Sequence, residues 1–347
     1  MASLRILRAG LSTTVQDAGR RGFQRLGVPV SGALDICSMR AANLLVGNAP
    51  DTATLEISYT GPSFMIEAKS ARIAFAGSGD ARIKVYAGAL DLIGESVKAL
   101  QSLHCVRGQI VEVSSIVGSS VLYLAVEGGF DIPPVLGSRS TFVRGGLGGL
   151  KGRALRDGDT LPLSLKEAGH RTEQQLLHGM LPAPGQIRIQ AGPQAHYFAP
   201  DALRRLCEDD YVIGPSSNRM GMRLEGAEIP HLGGYDITSE AVALGSIQIP
   251  GTKKPVVLLA DRQTTGGYPK IATVISADMA ALGRLPIGAK IRFELVTVEK
   301  AVEARRIFLA GLANMDAALR PVAPQADEFA ASLFNSNLVS GVCCASI

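Results

Sequence analysis

The residues of this chain best suited to chemistry lie in one run, residues 260–270, which reads ADRQTTGGYPK. The run follows a continuous apolar stretch at 256–259 that is typical of a central β-strand. It brings together a carboxylate, a guanidinium, an amide and two hydroxyls, followed by two glycines that let the backbone approach a ligand closely. A ligand-facing loop is therefore predicted. The alternative is a pair between Asp261 and Arg262 that braces the fold.

A second polar motif, GPSSNRMGMR at residues 214–223, could grip an anion. Asn218 offers a donor and an acceptor, and Arg219 and Arg223 lie four residues apart, so these groups could bind a carboxylate, a phosphate or a carboxylated ligand. The alternative is a surface turn in which the Ser and Asn side chains bond to their own backbone. The residue types alone leave both interpretations open.

A third motif lies in residues 14–35 and consists of TVQDAGRRG followed by GVPVSGALD. Its glycines allow the backbone to turn close to a ligand. Gln16, Asp17 and Arg20 offer an amide, a carboxylate and a planar fork of donors. In the alternative interpretation, an Asp17–Arg20 salt bridge ties the loop and Ser31 caps a following helix.

A glycine-rich run at residues 144–153, RGGLGGLKGR, invites comparison with phosphate-binding loops. It lacks the Lys-Ser/Thr ending of a Walker loop, and no G-x-G-x-x-G is followed by a helical pattern and an acidic residue. A hairpin or an active-site flap is favoured instead. The chain also has no G-x-S-x-G elbow and no Met-Lys-Met biotin attachment site.

Composition excludes several classes of protein. The 347 residues are 46% hydrophobic with a formal charge of +4, and the basic residues are scattered, so nucleic-acid binding is not indicated. No run of 18 apolar residues and no signal-peptide core occurs, which predicts a cytoplasmic protein without a membrane segment. Five cysteines without a C-x-x-C pair indicate reduced thiols, and five histidines without ligand spacing predict no metal site.

The pattern of the chain predicts a mainly β fold. Glycine occurs 39 times and proline 18 times, and short alternating runs such as 290–295 are typical of half-buried strands joined by tight turns. Two helices are predicted, one at about 33–46 and one starting near Val298 and reaching Leu312.

A weak internal repeat predicts two domains. Arg-x-Gly at Arg20 and at Arg219 precedes a Glu-x4-Gly step, at Glu56 and at Glu240, and the next strand ends at the same distance in both halves. Duplication of one β-barrel unit accounts for both spacings. The predicted domains are an N-terminal barrel with a helical insertion, a C-terminal barrel and a peripheral tail, at residues 1–185, 186–312 and 313–347.

The motifs resemble those of the biotin-dependent carboxyltransferase family, which contains allophanate hydrolase subunit 2, the KipA proteins and the C subunit of 5-oxoprolinase. The resemblance runs from about residue 5 to 310 and implies two cyclophilin-like β-barrel domains with a few short helices. The matching segments are residues 15–22, 27–35, 217–224, 239–240, 245–250 and 260–271.

The resemblance also implies partners and a reaction. One implied partner is a KipI-like protein, known as the B subunit of 5-oxoprolinase or as allophanate hydrolase subunit 1, and the other is the LamB/YcsF-like A subunit. The expected function is a subunit of an ATP-dependent 5-oxoprolinase, which activates the lactam 5-oxoproline for ring opening to glutamate, with ATP used together with the partner. One alternative is a carboxyltransferase component that moves a carboxyl group between biotin and a urea-like substrate. Another is a non-catalytic KipA-like regulator that binds a kinase inhibitor.

The ligands of this family share a planar N–C=O unit whose resonance makes it unreactive, so its chemistry requires charge stabilised on the oxygen or activation of that oxygen by phosphate. By resemblance, Arg20, Arg219 and Arg262 are candidate clamps for that oxygen, and Asp17 and Asp261 are candidate proton acceptors or orienting groups. The candidate substrate-binding residues are Gln16, Ser31, Ser217, Asn218, Arg223, Gln248, Gln263, Thr264, Thr265, Gly267 and Tyr268.

Overall fold

The computed structural model describes residues 2–77, 79–177, 181 and 185–322. It is mainly β, as the alternating runs predict. No helix within that part of the chain has the length and apolarity needed to cross a membrane. Its α-helices are α1 (Ile36–Leu45), α2 (Ala202–Glu208), α3 (Met279–Gly283) and α4 (Val298–Ala313).

The strands are short and joined by tight turns, as the glycine content predicts. In the first half they are β1 (Ser3–Arg8), β2 (Ser12–Gln16), β3 (Thr54–Ser58), β4 (Ser63–Ile66), β5 (Ser70–Ala76), β6 (Asp80–Tyr86), β7 (Glu95–Val97), β8 (Gln101–Val106), β9 (Ile110–Val117), β10 (Val121–Val126), β11 (Thr160–Pro162) and β12 (Gln174–Leu176). They continue as β13 (Ile187–Ala191), β14 (Tyr211–Ile213), β15 (Gly221–Glu225), β16 (Glu240–Ala241), β17 (Ser246–Gln248), β18 (Val256–Leu258), β19 (Thr265–Gly266), β20 (Lys270–Val274), β21 (Lys290–Ile291), β22 (Phe293–Leu295) and β23 (Leu319–Pro321).

The first half of the chain forms two antiparallel sheets around one apolar cluster. One sheet has the order β11-β1-β4-β9-β6-β7, and the other has the order β2-β3-β10-β5-β8-β12-β23. The cluster draws on both sheets through side chains such as Leu4, Phe64, Ile73 and Leu124. Each fully buried side chain of this size contributes about 1.5–3 kcal/mol. The continuous apolar strand β10 is buried along its whole length, as expected of a central strand.

The second half forms one nearly closed eight-stranded barrel, in the order β21-β14-β15-β18-β17-β20-β13-β22. Its pairs are antiparallel except β13 with β22, which are parallel. The alternating run 290–295 predicts a single strand, and that prediction is wrong. The run divides at Arg292 because β21 and β22 lie at opposite edges of the sheet, so the chain passes from one edge to the other at this residue.

Helix α1 packs against β5 and β10 of the seven-stranded sheet. It begins after Asp35, whose carboxylate accepts hydrogen bonds from the backbone N–H groups of Cys37 at 3.0 Å and Ser38 at 3.2 Å. The cap suggested for Ser31 is therefore wrong. Ser31 lies before the helix in a left-handed conformation, with φ of 56°.

The chain returns to the first half after α4, a helix whose predicted start at Val298 is confirmed. Met315 and Ala318 are buried against the cluster that holds α1, and β23 pairs with β12. These residues belong to the predicted tail 313–347, of which 313–322 are described. The domain boundaries at 185 and 312 remain predictions.

The cysteines of the described residues are free thiols. Cys37 and Cys105 are buried, and Cys207 is half-buried. Cys343 and Cys344 lie outside the described residues.

Candidate functional site

Asp17 follows β2 and organises a neighbouring loop. Its carboxylate accepts hydrogen bonds from Ser138 Oγ at 2.7 Å, Arg139 N at 2.6 Å, Ser140 Oγ at 2.5 Å and Gly19 N at 2.8 Å. Hydrogen bonds to a carboxylate favour its charged form. Asp17 is thus placed to hold the 138–140 loop in position, and any proton transfer at Asp17 would have to break these bonds.

Arg20 is fully buried and holds the same loop. Its Nε donates to Val135 O at 2.9 Å and its Nη2 donates to Ser140 O at 2.8 Å. Because these acceptors are carbonyls, the suggested Asp17–Arg20 salt bridge is wrong. Burial lowers the pKa of Arg20, and the carboxylates of Asp17 and Asp261 oppose that change.

Arg219 joins the two halves of the chain. Its Nε donates to Asp261 Oδ2 at 2.8 Å, its Nη2 donates to Gly32 O at 2.7 Å, and its Nη1 donates to Glu56 Oε1. Burial alone would lower the pKa of Arg219, but the carboxylates of Glu56 and Asp261 raise it above its usual value. The suggested Asp261–Arg262 brace is wrong, because Asp261 pairs with Arg219 within the second half.

Glu56 and its neighbours extend this network, and the motif argument did not assign them a role. Glu56 Oε2 accepts hydrogen bonds from Tyr123 Oη at 2.5 Å and from Leu34 N at 2.9 Å. Burial, with the charge of Glu56 next, raises the pKa of Tyr123 well above its usual value. Asp35 pairs with Arg284 of the second half at 2.9 Å, with both side chains fully buried. In the sequence, Glu56 stands out only as the first residue of the Glu-x4-Gly step in the internal repeat.

The 217–223 motif forms the surface turn described by its alternative interpretation. Asn218 Oδ1 accepts a hydrogen bond from Met220 N at 2.8 Å, and Ser217 Oγ accepts one from Arg223 N at 3.0 Å. Asn218 and Arg223 are exposed. The turn thereby aims Arg219 inward and leaves Asn218 and Arg223 at the surface.

A cluster of amide and charged side chains surrounds Gln248. Its Oε1 accepts a hydrogen bond from Gln263 Nε2 at 3.2 Å, and its Nε2 donates to Tyr268 O at 3.5 Å. The buried ammonium of Lys270 pairs with Glu240 at 2.5 Å, and this pair lowers the pKa of Glu240. Lys270 and Glu240 were not among the predicted residues, although both lie within the matching segments.

The remaining predicted residues bond mainly through or to the backbone. The carbonyls of Thr264 and Gly267 accept backbone hydrogen bonds at 3.2 and 2.8 Å, and Thr265 lies in β19, which pairs with β16. Gln16 is buried, and its Nε2 donates to Thr141 O at 3.1 Å. These residues shape the loops around the interface.

All three motif loops meet at the interface between the halves. Ser31 N donates to Ala260 O at 3.2 Å, and Ala33 N donates to Asp17 O at 3.0 Å. Arg219 reaches across to the carbonyl next to Ser31 and to the carboxylate next to Ala260. Motifs that lie more than two hundred residues apart in sequence therefore form one site.

A cleft of about 690 Å³ opens at this interface. Arg262 and Ser31 line it, and both are more than nine-tenths buried. Arg262 Nε donates to Val242 O at 3.2 Å. The cleft lies between the third motif and the start of α3 on one side and the C-terminal part of α4 on the other, and its volume is within the range of about 300–1,000 Å³ typical of small-molecule sites.

Two glycines of the run at 144–153 are closely packed. A side chain at Gly148 would begin 2.0 Å from Ser140 O, and one at Gly152 would begin 2.0 Å from Gly146 O. Glycine is needed at these two positions because backbone atoms occupy the space of a side chain. Within the described ranges, no group of three or more His, Cys, Asp or Glu side chains could hold a metal ion.

A family model for the carboxyltransferase domain, subdomains A and B, matches residues 26–295. The chain belongs to the carboxyltransferase A and B subdomain family. The matched range includes the Arg219 network, the Gln248 cluster and the residues of the 260–270 run. Asp17 and Arg20 precede the matched range.

Relatives of this carboxyltransferase-family chain include two proteins that are each named as the C subunit of 5-oxoprolinase. The one from Escherichia coli is 38% identical over 307 residues, which are 87% of this chain and 94% of the relative. The one from Haemophilus influenzae is 33% identical, with the same coverage of both chains. The crystal structure of Kluyveromyces lactis urea carboxylase superposes with a TM-score of 0.82 at 28% identity and covers 92% of this chain. This chain spans 30% of that longer protein.

Proposed function

We propose that this chain is a cytoplasmic subunit of an ATP-dependent 5-oxoprolinase that binds 5-oxoproline and activates its lactam for ring opening to glutamate. The two relatives named as a 5-oxoprolinase C subunit support the proposal, because the alignment covers nearly their whole length. The free thiols of the described residues agree with a reducing compartment.

The observation that carries the proposal is the meeting of the three motif loops beside one cleft. Arg219 lies in the second loop and links it to the first loop through Asp261 and to the third loop through Gly32. A site built from both halves can hold a small ligand between rigid elements, which favours precise orientation of a lactam. Surface loops that do not contact one another would not orient a ligand in this way.

The contacts divide the candidate residues by role. Arg219, Asp261 and Asp17 have their charges satisfied by other protein groups, so we assign them to positioning the loops. Asn218 and Gln263 engage only one side-chain polar atom each in the hydrogen bonds of the described residues. Their remaining donor and acceptor suit the two faces of a planar amide.

The proposal includes two further parts, the fold class and the partners. We propose that both halves are cyclophilin-like barrels, which is supported by the nearly closed sheet of the second half. We also propose that a KipI-like and a LamB/YcsF-like subunit complete the enzyme, because the relatives are named as one subunit of a larger enzyme. We also propose that ATP acts together with the partner.

The test is ATP-dependent release of glutamate from 5-oxoproline by this chain mixed with both partners, with each component omitted in turn. We expect activity to require this chain. Asn218→Ala and Gln263→Ala should keep complex formation and lower turnover by roughly twofold to tenfold each, the effect of one neutral hydrogen bond. Exposed Arg204→Met on α2 is the control and should behave as wild type. Glutamate release without this chain would refute the proposal.

A second candidate function is carboxyl transfer between biotin and a urea-like substrate. It is favoured by the family model and by the superposition on a urea carboxylase. This function requires a biotinylated carrier on another chain, because the sequence has no Met-Lys-Met attachment site. A streptavidin blot of the proteins that co-purify with this chain separates the two functions: a biotinylated partner supports carboxyl transfer.

A further inference from the structure

The interface cleft contains a buried cation without a carboxylate partner. Arg262 is 6% exposed, and its one side-chain hydrogen bond among the described residues is from Nε to the Val242 carbonyl. No salt bridge to Arg262 occurs in the described part of the chain, whereas Arg219, Arg72 and Arg284 all pair with carboxylates. Buried Arg20 also makes no salt bridge among the described residues, but two of its nitrogens donate to backbone carbonyls. Burial lowers the pKa of Arg262, and no nearby charge offsets that change.

An unpaired buried charge is costly, because it loses hydration of several kcal/mol without a compensating ion. Arginine remains protonated in proteins and so cannot escape this cost by losing its proton. Binding of an anion to Arg262 therefore offsets the free-energy cost of burying its charge. Arg262 lines the cleft, so an anion that enters the cleft comes into contact with this residue.

Ser31 provides a second observation that points to a ligand. Its hydroxyl is buried and has no hydrogen-bond partner among the residues that the structure describes, and Ser31 lines the same cleft as Arg262. Its φ of 56° is unusual for a residue other than glycine and costs of order 1–3 kcal/mol. The bond from Ser31 N to Ala260 O, 3.2 Å long, fixes Ser31 beside the segment that carries Arg262.

The lining of the cleft is rich in arginine and in apolar side chains. Four arginines, Arg262 among them, line it against one acidic residue, Asp51, and that residue already pairs with Arg40. Arg305 lies over the Phe308 ring at 5.2 Å. The apolar lining comes from both halves and includes Leu34, Ile36, Leu244, Met279, Leu309 and Leu312.

We propose that this cleft is an organic-carboxylate site in which Arg262 and Ser31 Oγ bind the carboxylate and the apolar walls contact the body of the ligand. The carboxylate of 5-oxoproline is the ligand group we assign to it, an assignment that rests on the proposed function. Its lactam then lies at the meeting point of the motif loops. Arg262 acts in this scheme as the residue that selects an acid over a neutral lactam.

The test is equilibrium binding by calorimetry to the full chain, and to its complex with the KipI-like partner, using 5-oxoproline and its neutral carboxamide. We expect the acid to bind at least about tenfold more tightly than the carboxamide, because a hydrogen bond to a charged group is worth about 1.5–3 kcal/mol. Arg262→Met should remove this preference by weakening the acid alone. Ser31→Ala should weaken the acid by roughly twofold to tenfold. Arg204→Met is the control.

Three outcomes would overturn the inference. In the first, Arg262→Met weakens the binding of the acid and of the carboxamide equally. In the second, Arg262→Met loses binding of ATP or inorganic phosphate but still binds 5-oxoproline. In the third, Arg262→Met no longer binds the KipI-like partner but still binds the ligand. The thermal stability of Arg262→Met excludes misfolding as the cause of any loss. If the Arg262-dependent preference is found but the full mixture releases no glutamate, the proposed function fails and the carboxylate site stands. If glutamate is released and Arg262→Met leaves the KM for 5-oxoproline unchanged, the proposed function stands and the carboxylate site fails.

Discussion

Replacing Arg219 with methionine should destabilise the protein strongly, because it leaves two buried carboxylates without their cation. Glu56 is fully buried and Asp261 is nearly so, and both are paired to Arg219. The change also removes the donor to the Gly32 carbonyl. Methionine fills a similar volume, so the loss is electrostatic and not a cavity.

The magnitude follows from this arrangement. Breaking a buried ion pair by removing one partner costs about 3–5 kcal/mol. Each kcal/mol shifts the melting temperature of a large domain by about 2–4 °C, so we expect Arg219→Met to melt roughly 6–20 °C below wild type. Arg262→Met offers a matched contrast, because it removes a buried arginine with no carboxylate partner and should melt at or above the wild-type temperature.

The assay is thermal unfolding followed by near-UV circular dichroism at pH 7. A triple variant, Arg219→Met with Glu56→Gln and Asp261→Asn, should recover much of the loss, since it leaves neither of these two carboxylates charged and unpaired. Arg219→Met and Arg262→Met with equal melting temperatures would refute the distinction between a paired and an unpaired arginine. A triple variant that is less stable than Arg219→Met would refute the electrostatic cause.

Three further predictions concern other parts of the fold. Burial raises the pKa of Cys105 to about 12, so iodoacetamide at pH 8 should leave Cys105 unlabelled until guanidinium unfolds the chain; a labelled Cys105 peptide from the native protein would contradict this. The paired hydrogen bonds from Arg153 lower the pKa of Asp159. The ionised Asp159 carboxylate therefore stabilises the protein above the unfolded-state pKa of about 3.9, and this stabilisation is lost as the pH falls through the lower pKa of the folded state. The difference in melting temperature between wild type and Asp159→Asn should narrow below about pH 4, and a constant difference would contradict this prediction. Gly32 has a φ of 85°, and a Cβ added there would lie only 2.9 Å from backbone. Gly32→Ala should therefore lower the free energy of unfolding by more than Gly27→Ala, for which we expect only the roughly 1–2 kcal/mol of left-handed strain because the space around Gly27 is open. Equal losses of free energy in denaturant titrations would contradict the close contact.

Local sequence patterns predicted the strand content and the polar loops well, because alternation and glycine-rich polar runs are local properties. They failed where the outcome depends on distant residues. The run 290–295 alternates like one strand, but closure of the barrel requires the chain to change sheet edge at Arg292. Ser31 and Asp35 are both good cap residues by type, and only the left-handed backbone at Ser31 decides for Asp35.

Salt-bridge partners were the least predictable feature of the site. Asp261 has an adjacent arginine in sequence, yet it pairs with Arg219, which lies 42 residues away. Glu56 lies 163 residues from Arg219, and nothing in its surroundings in sequence marks it as the second partner. Ion pairs between domains depend on how the domains dock, and a local motif carries no information about that docking.

Strands β12 and β23 pair although the ribosome makes them far apart in time. Strand β12 ends at Leu176, but its outer neighbour begins only at Leu319, beyond the whole second barrel. At synthesis rates of about 5–20 residues per second, the first half waits on the order of ten seconds on the ribosome with an open sheet edge. An uncovered edge is a template for pairing with other chains.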